Sequence, residues 1–218
     1  MTVAAAEPGR AGDALDVEPG RDAPACGSWS ALARRVTVCT ACAELAQTRT
    51  QVVVGVRPVG AEVLLVGEAP GAAEDETGVP FVGRAGKLLD QVLGEVGFDR
   101  ARMAIANVLK CRPPGNRTPT TAEAARCRPW LDRQIELSDP LLVITLGSVA
   151  AGWALGRGVR LGASRGVVHQ LGSRALIVTY HPSAALRFGP KGAPMAALRE
   201  DLTTASALLP ELRHARPG

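Results

Sequence analysis

Four side chains in this sequence are suited to chemistry, and three of them stand where an apolar run ends. Glu68 offers a carboxylate, Asn107 an amide that both donates and accepts, His181 an imidazole and Phe81 a flat apolar ring. A second set is sulfur. Cys39 and Cys42 form a C-x-x-C pair, and Cys111 and Cys127 follow far downstream. In a chain without secretory features, four such cysteines favour metal over disulfides. The candidates are tetrahedral zinc and an iron–sulfur cubane, and spacing alone leaves both open. A lone redox-active C-x-x-C would leave Cys111 and Cys127 without a role. Cys26 stands apart and is expected to be a free thiol.

The elements that must position these groups follow from apolar periodicity. VLLV at 63–66 suits a buried strand, and GEAPG at 67–71 ends it. Gly67, Ala69 and Gly71 are small, so backbone can approach a ligand closely there. GVPFVGRAG at 78–86 turns the chain, presents Phe81 and leads into a helix marked by Leu88, Leu89, Val92, Leu93 and Val96. The glycine spacing fits neither a Walker loop nor a dinucleotide fingerprint. Further strands are expected at 103–109, 141–146 and 175–180, with a short one at 51–54 and an edge strand at 166–170. Helices are expected around Trp29, Leu32 and Val36, after the capping box at Thr120 and Glu123, after Ser148, and over 194–209. Strands alternating with helices imply an α/β fold, a mostly parallel sheet covered on both faces. Glu68, Asn107 and His181 then share the carboxyl edge of that sheet, where open α/β sheets bind ligands. Each alone reads as a surface acid, a turn amide or a capping histidine. Together, with Phe81 near, they read as a site.

Composition sets the frame. With 218 residues and 46% hydrophobic content, the chain can bury one sizeable core. Residues 1–26 hold five acids and two arginines, net −3, which leaves +7 on the rest of a chain whose total is +4. A basic body suits a polyanionic partner. The acidic, Ala- and Gly-rich stretch 1–26 is expected to be a disordered tail, 27–209 the folded domain, and 210–218 a frayed end. No apolar stretch is long enough to span a membrane, and the N-terminus has no signal-like core, so a cytoplasmic, monomeric protein is expected.

In order along the chain stand the C-x-x-C, GEAPG, GVPFVGRAG, ANVLKCRPPGNR, CRPWL and HPSAALR. This arrangement closely resembles the bacterial and archaeal family 4 uracil-DNA glycosylases, from Cys39 to Leu202. The resemblance implies a three-layer α/β/α sandwich and a [4Fe–4S] cluster on Cys39, Cys42, Cys111 and Cys127. It implies uracil-containing DNA as partner, with the base flipped out and its N-glycosidic bond hydrolysed. Glu68 would handle the water and the cationic sugar, Phe81 would stack on uracil, Asn107 would read its Watson–Crick edge and His181 would face O2. Gly67 and Ala69 would line the base pocket. The loop from Ser183 to Arg187 would enter the minor groove, with Leu186 as an apolar wedge. Arg84, Lys87, Arg112, Arg117 and Arg187 would meet phosphates. Better-known members of the superfamily carry an aspartate where this chain has Ala69, so water activation falls to Glu68 or is shared. A sister group that becomes trapped on its product carries a histidine in the loop after the third cysteine. This chain has Arg112-Pro113-Pro114-Gly115-Asn116-Arg117 there.

Overall fold

The structure is a computed structural model and describes residues 17–156 and 158–216. Its five strands are β1 (Val63–Gly67), β2 (Ala104–Asn107), β3 (Leu142–Leu146), β4 (Val168–Leu171) and β5 (Arg174–Thr179). They form one sheet in the order β2-β1-β3-β5-β4. The first four in that order run parallel, and β4 is an antiparallel edge. The helices are α1 (Pro19–Ala25), α2 (Trp29–Thr37), α3 (Ala43–Thr48), α4 (Ala72–Thr77), α5 (Arg84–Glu95), α6 (Thr121–Ser138), α7 (Ser148–Leu155), α8 (Leu161–Ser164), α9 (Pro182–Phe188) and α10 (Ala193–Ala215).

Alternation along each strand sorts the core into two layers. Val63 and Leu65 face one side, where Leu89, Val92 and Leu93 of α5 and Leu198 and Leu202 of α10 cover them. Leu64 and Val66 face the other, under Leu131 and Ile135 of α6 and Trp153 of α7. Both faces of the central strands are thereby buried, which is why VLLV and LVIT read as unbroken apolar runs. The result is the expected three-layer α/β/α arrangement. Among the described residues, no helix is long and apolar enough to cross a membrane.

Three expectations are corrected. Residues 51–54 form no strand. Gly55 holds a positive φ of 112° with its backbone against Ile105, so only Val56 bridges to the sheet. The stretch 1–26 is not disordered throughout, because α1 occupies 19–25 and packs on α6. Glu18 caps it, Asp22 pairs with Arg35 at 3.1 Å, and Arg133 donates to the Cys26 carbonyl at 2.9 Å. Cys26 is therefore buried rather than loose in a tail. Residues 1–16 lie outside the described residues. At the other end α10 continues through Pro210 to Ala215, and Arg213 pairs with Glu62 at 2.6 Å. Those tertiary ion pairs carry the helix past a residue that would otherwise end it.

Candidate active site and metal seat

The carboxyl edge of the sheet opens into a cleft of about 510 Å³, lined among others by Glu68, Phe81, Asn107, His181 and Arg187. Glu68 leaves the end of β1, Asn107 is the last residue of β2, and His181 follows β5. Gly67 pairs in register with Asn107, which sets the acid and the amide side by side. Gly147, after β3, has φ 91°, and a Cβ there would come within 3.0 Å of His181 Cβ. The bare glycine lets the histidine settle into the edge.

Asn107 is 2% exposed, and its Oδ1 has no hydrogen-bond partner in the protein. A buried unpaired acceptor of this kind is costly unless a ligand's N–H meets it. Gly67 lies against both groups: a Cβ there would lie 2.3 Å from Asn107 Oδ1 and 2.5 Å from Phe81 Cζ, so only a residue without a side chain lets the amide and the ring come this close.

Phe81 sits in the turn before α5 at φ 54°, a left-handed conformation that a bulky residue adopts only under constraint. The constraint is visible. A Cβ on Gly86 would lie 1.9 Å from the Phe81 carbonyl oxygen, so the first turn of α5 presses directly on this peptide. From the other side Glu74 accepts from Val82 N at 2.9 Å, Gly83 N at 2.8 Å and Gly71 N at 3.1 Å. One carboxylate thereby ties the GEAPG loop to the Phe81 turn. Glu74 is a positioning residue that no long motif singles out; its only signal is the Gly71-x-x-Glu74 capping spacing. The Phe81 ring lies 5.8 Å from the His181 ring, tilted 33°.

His181 has a defined tautomer. Its Nδ1 accepts from Ser183 N at 3.2 Å and lies 2.8 Å from Ser183 Oγ. The ring proton of the neutral form is then on Nε2, free to donate. Burial pushes its pKa down to about 4, against an opposing pull from the Glu74 carboxylate. The imidazole is neutral at pH 7. Burial alone raises the Glu68 carboxyl above its ordinary value.

The cationic residues expected at DNA divide. Arg84, Lys87 and Arg187 are exposed, and Arg112 donates to Asn116 Oδ1 at 2.7 Å. Arg117 is committed elsewhere. It grips both oxygens of Glu123 at 2.7 and 2.9 Å and reaches Glu44 at 2.8 Å, which holds the Glu123 carboxyl down at about 2. It organises the start of α6 rather than standing free. Ser183 and Leu186 are exposed on α9, and Phe188 beside them is 65% exposed, an apolar tip that the HPSAALR motif does not include.

The four cysteines, Cys39, Cys42, Cys111 and Cys127, lie around one cavity with Val36, Leu45 and Trp130, and none is in a disulfide. Among the described residues, no three His, Cys, Asp or Glu side chains are grouped as a single metal ion would require. Cations border the cavity. Arg49 donates to Cys111 Sγ at 3.0 Å and to the Cys39 carbonyl at 2.8 Å, Arg126 hydrogen-bonds Cys42, and Lys110 lies wholly buried against Cys111 and Cys127. Burial pushes the Cys127 thiol up to about 12 and the Lys110 ammonium down to about 8. Such a rim suits a group that carries four thiolates and a net negative charge. Arg49→Met should leave the fold intact but shorten metal retention: in a chelator challenge followed by visible absorbance, loss is expected about 10–100-fold faster. Wild-type retention would remove Arg49 from the seat.

The description "Uracil DNA glycosylase superfamily" matches residues 54–203. A type-4 uracil-DNA glycosylase of Thermotoga maritima is 46% identical over 158 residues, which cover 72% of this chain and 82% of the relative. The type-4 enzyme of Archaeoglobus fulgidus is 39% identical over 163 residues, covering 71% and 81%. A type-5 uracil-DNA glycosylase of Mycobacterium tuberculosis is 32% identical over 197 residues, covering 72% and 73%. These matches cover most of the chain, and it belongs to the uracil-DNA glycosylase superfamily, within its type-4 family.

Proposed function

We propose that the chain excises uracil from DNA by hydrolysing its N-glycosidic bond, leaving an abasic site. The observation that carries this reading is the buried, unpartnered Oδ1 of Asn107 in the same cleft as the Nε2–H of His181. Uracil presents an N3–H donor between two carbonyl acceptors, so Asn107 Oδ1 accepts from N3 and its Nδ2 donates to O4. Phe81 stacks on the base, a contact worth about 1–3 kcal/mol. Cytosine reverses the donor pattern and leaves buried groups unpaired.

As the bond to C1′ breaks, its electron pair goes to uracil and positive charge appears on the sugar. His181 donates to O2 where that negative charge develops. Glu68, ionised, stabilises the sugar cation and orients the water whose oxygen bonds to C1′. One of the water's protons leaves through Glu68 to solvent, the other stays on the new C1′ hydroxyl, and the released uracil anion takes up a proton from solvent. Exposed Arg84, Lys87 and Arg187 and half-buried Arg112 are assigned to phosphates, and Leu186 to the gap left by the flipped nucleotide. Cys39, Cys42, Cys111 and Cys127 would hold a [4Fe–4S] cluster, which when bound supplies a structural pin rather than a reacting atom. A cytoplasmic monomer acting on DNA completes the proposal.

The test is release of free uracil from a uracil-containing oligonucleotide, with alkali-labile strand breaks at the same position. Asn107→Asp should slow that release by about 10–100-fold, because an ionised acid repels O4 and cannot donate to it. It should recover in part as pH falls and the acid gains a proton. A pH-independent defect would remove Asn107 from base reading.

A further inference from the structure

Lys87 and Lys191 are exposed, whereas Lys110 is 1% exposed. An ammonium inside a protein must be hydrogen-bonded or paired. Lys110 Nζ donates to the main-chain carbonyl of Asn107 at 2.6 Å. The sulfurs of Cys111 and Cys127 are its neighbours on the other side. One cation therefore touches both the metal seat and the residue assigned to read the base.

The place it touches is where sheet support runs out. The β1–β2 pairing ends at Gly67 and Asn107. Beyond it, Val108 N and Leu109 N donate to the Gly67 and Glu68 carbonyls. The Asn107 carbonyl is taken by Lys110 instead. The lysine is itself anchored, since its own carbonyl accepts from Val53 N at 2.8 Å. Its stem is packed among the residues of the seat, which leaves the ammonium little freedom.

We propose that Lys110 is a positioning residue for uracil excision, fixing the Asn107 peptide, and with it the reading amide, against the cysteine-lined seat. This rests on the glycosylase reading above. Its consequence is that an intact seat is needed for base reading as well as for folding. A lysine that merely balanced the charge of the seat would affect metal content and stability and leave base reading alone. The two roles therefore separate by readout.

The experiment compares wild-type holoenzyme with Lys110→Met, each purified anaerobically with iron counted per chain. Three quantities are read: single-turnover uracil release, inhibition by free uracil, and affinity for an abasic-site duplex. In iron-replete Lys110→Met the inhibition constant for uracil is expected to rise about 10–100-fold, with a similar fall in cleavage rate and unchanged abasic-duplex affinity. Where Lys110→Met gives no folded holoenzyme, Lys110→Gln is read in the same way, since its amide stops short of the Asn107 carbonyl. Wild-type uracil inhibition in an iron-loaded variant overturns the inference. So does loss of iron with normal uracil inhibition in the loaded fraction. Wild-type protein that releases no uracil would instead sink the glycosylase reading, whatever Lys110 does.

Discussion

His181→Ala slows uracil release by about 10²–10³ under single-turnover conditions and leaves duplex affinity near wild type. The donor acts on charge that appears only as the bond breaks, so its loss falls on rate rather than binding. The neutral imidazole sharpens this expectation. With a pKa of about 4 in the fold, His181 stays neutral from pH 8 to about 5. Any fall in wild-type rate above that range's lower end comes from Glu68, whose carboxyl burial raises and which must be ionised to help the sugar cation. The acid limb should therefore survive in His181→Ala and vanish in Glu68→Gln. A limb that disappears with the histidine would mean that imidazole titration controls the rate. Stability carries the same signature. An unfolded histidine protonates near pH 6.5 and the folded one near 4, so the unfolded chain binds more protons between those values. This contribution is complete above 6.5 and is lost as pH falls toward 4.

Gly67→Ala is expected to reduce cleavage by on the order of 10² or more while the sheet still folds. The added methyl would sit 2.3 Å from Asn107 Oδ1 and 2.5 Å from Phe81 Cζ, so it would push the amide or the ring out of the place from which each is proposed to meet the base. Neither neighbour yields easily. Asn107 is in sheet register with this residue, and Phe81 is wedged between Glu74's backbone contacts and α5. The strand's own φ tolerates alanine, so the cost to the fold is that of overpacking, about 1–3 kcal/mol. Thermal melting beside single-turnover kinetics separates the two effects. Near-normal cleavage would place the base outside the gap between amide and ring.

The legible parts of the molecule were those governed by local pattern. Apolar runs ended by glycine located β1 and β3, one ended by His181-Pro182 located β5, and the carboxyl-end rule then brought Glu68, Asn107 and His181 to one edge. What periodicity missed was decided by distant contacts. The segment Pro19–Ala25 has no apolar stripe, yet Arg35 and Arg133 hold it as a helix from elements that follow it in the chain. Arg117 reads as a phosphate contact because its loop is basic, but Glu123 and Glu44 claim it. Lys110 has no role of its own in the sequence pattern, and only the fold shows that it is buried. Residues 51–54 have strand composition without strand geometry, because the glycine that follows turns the backbone away.

The placement of α1 gives the N-terminal segment a bearing on the lifetime of the metal group. Pro19, at its start, forms part of the wall of the cysteine cavity. The other walls come from α2, the C-x-x-C loop, α3, the stretch after β2 and α6, and this helix adds one more piece to them. A chain trimmed to begin at 27 would keep every cysteine of the seat, the whole sheet and all of the cleft. It would lose a shutter. Oxidants and chelators would then reach the sulfurs by a shorter path, and the residence time of the cluster would be set by exposure rather than by the strength of its ligands.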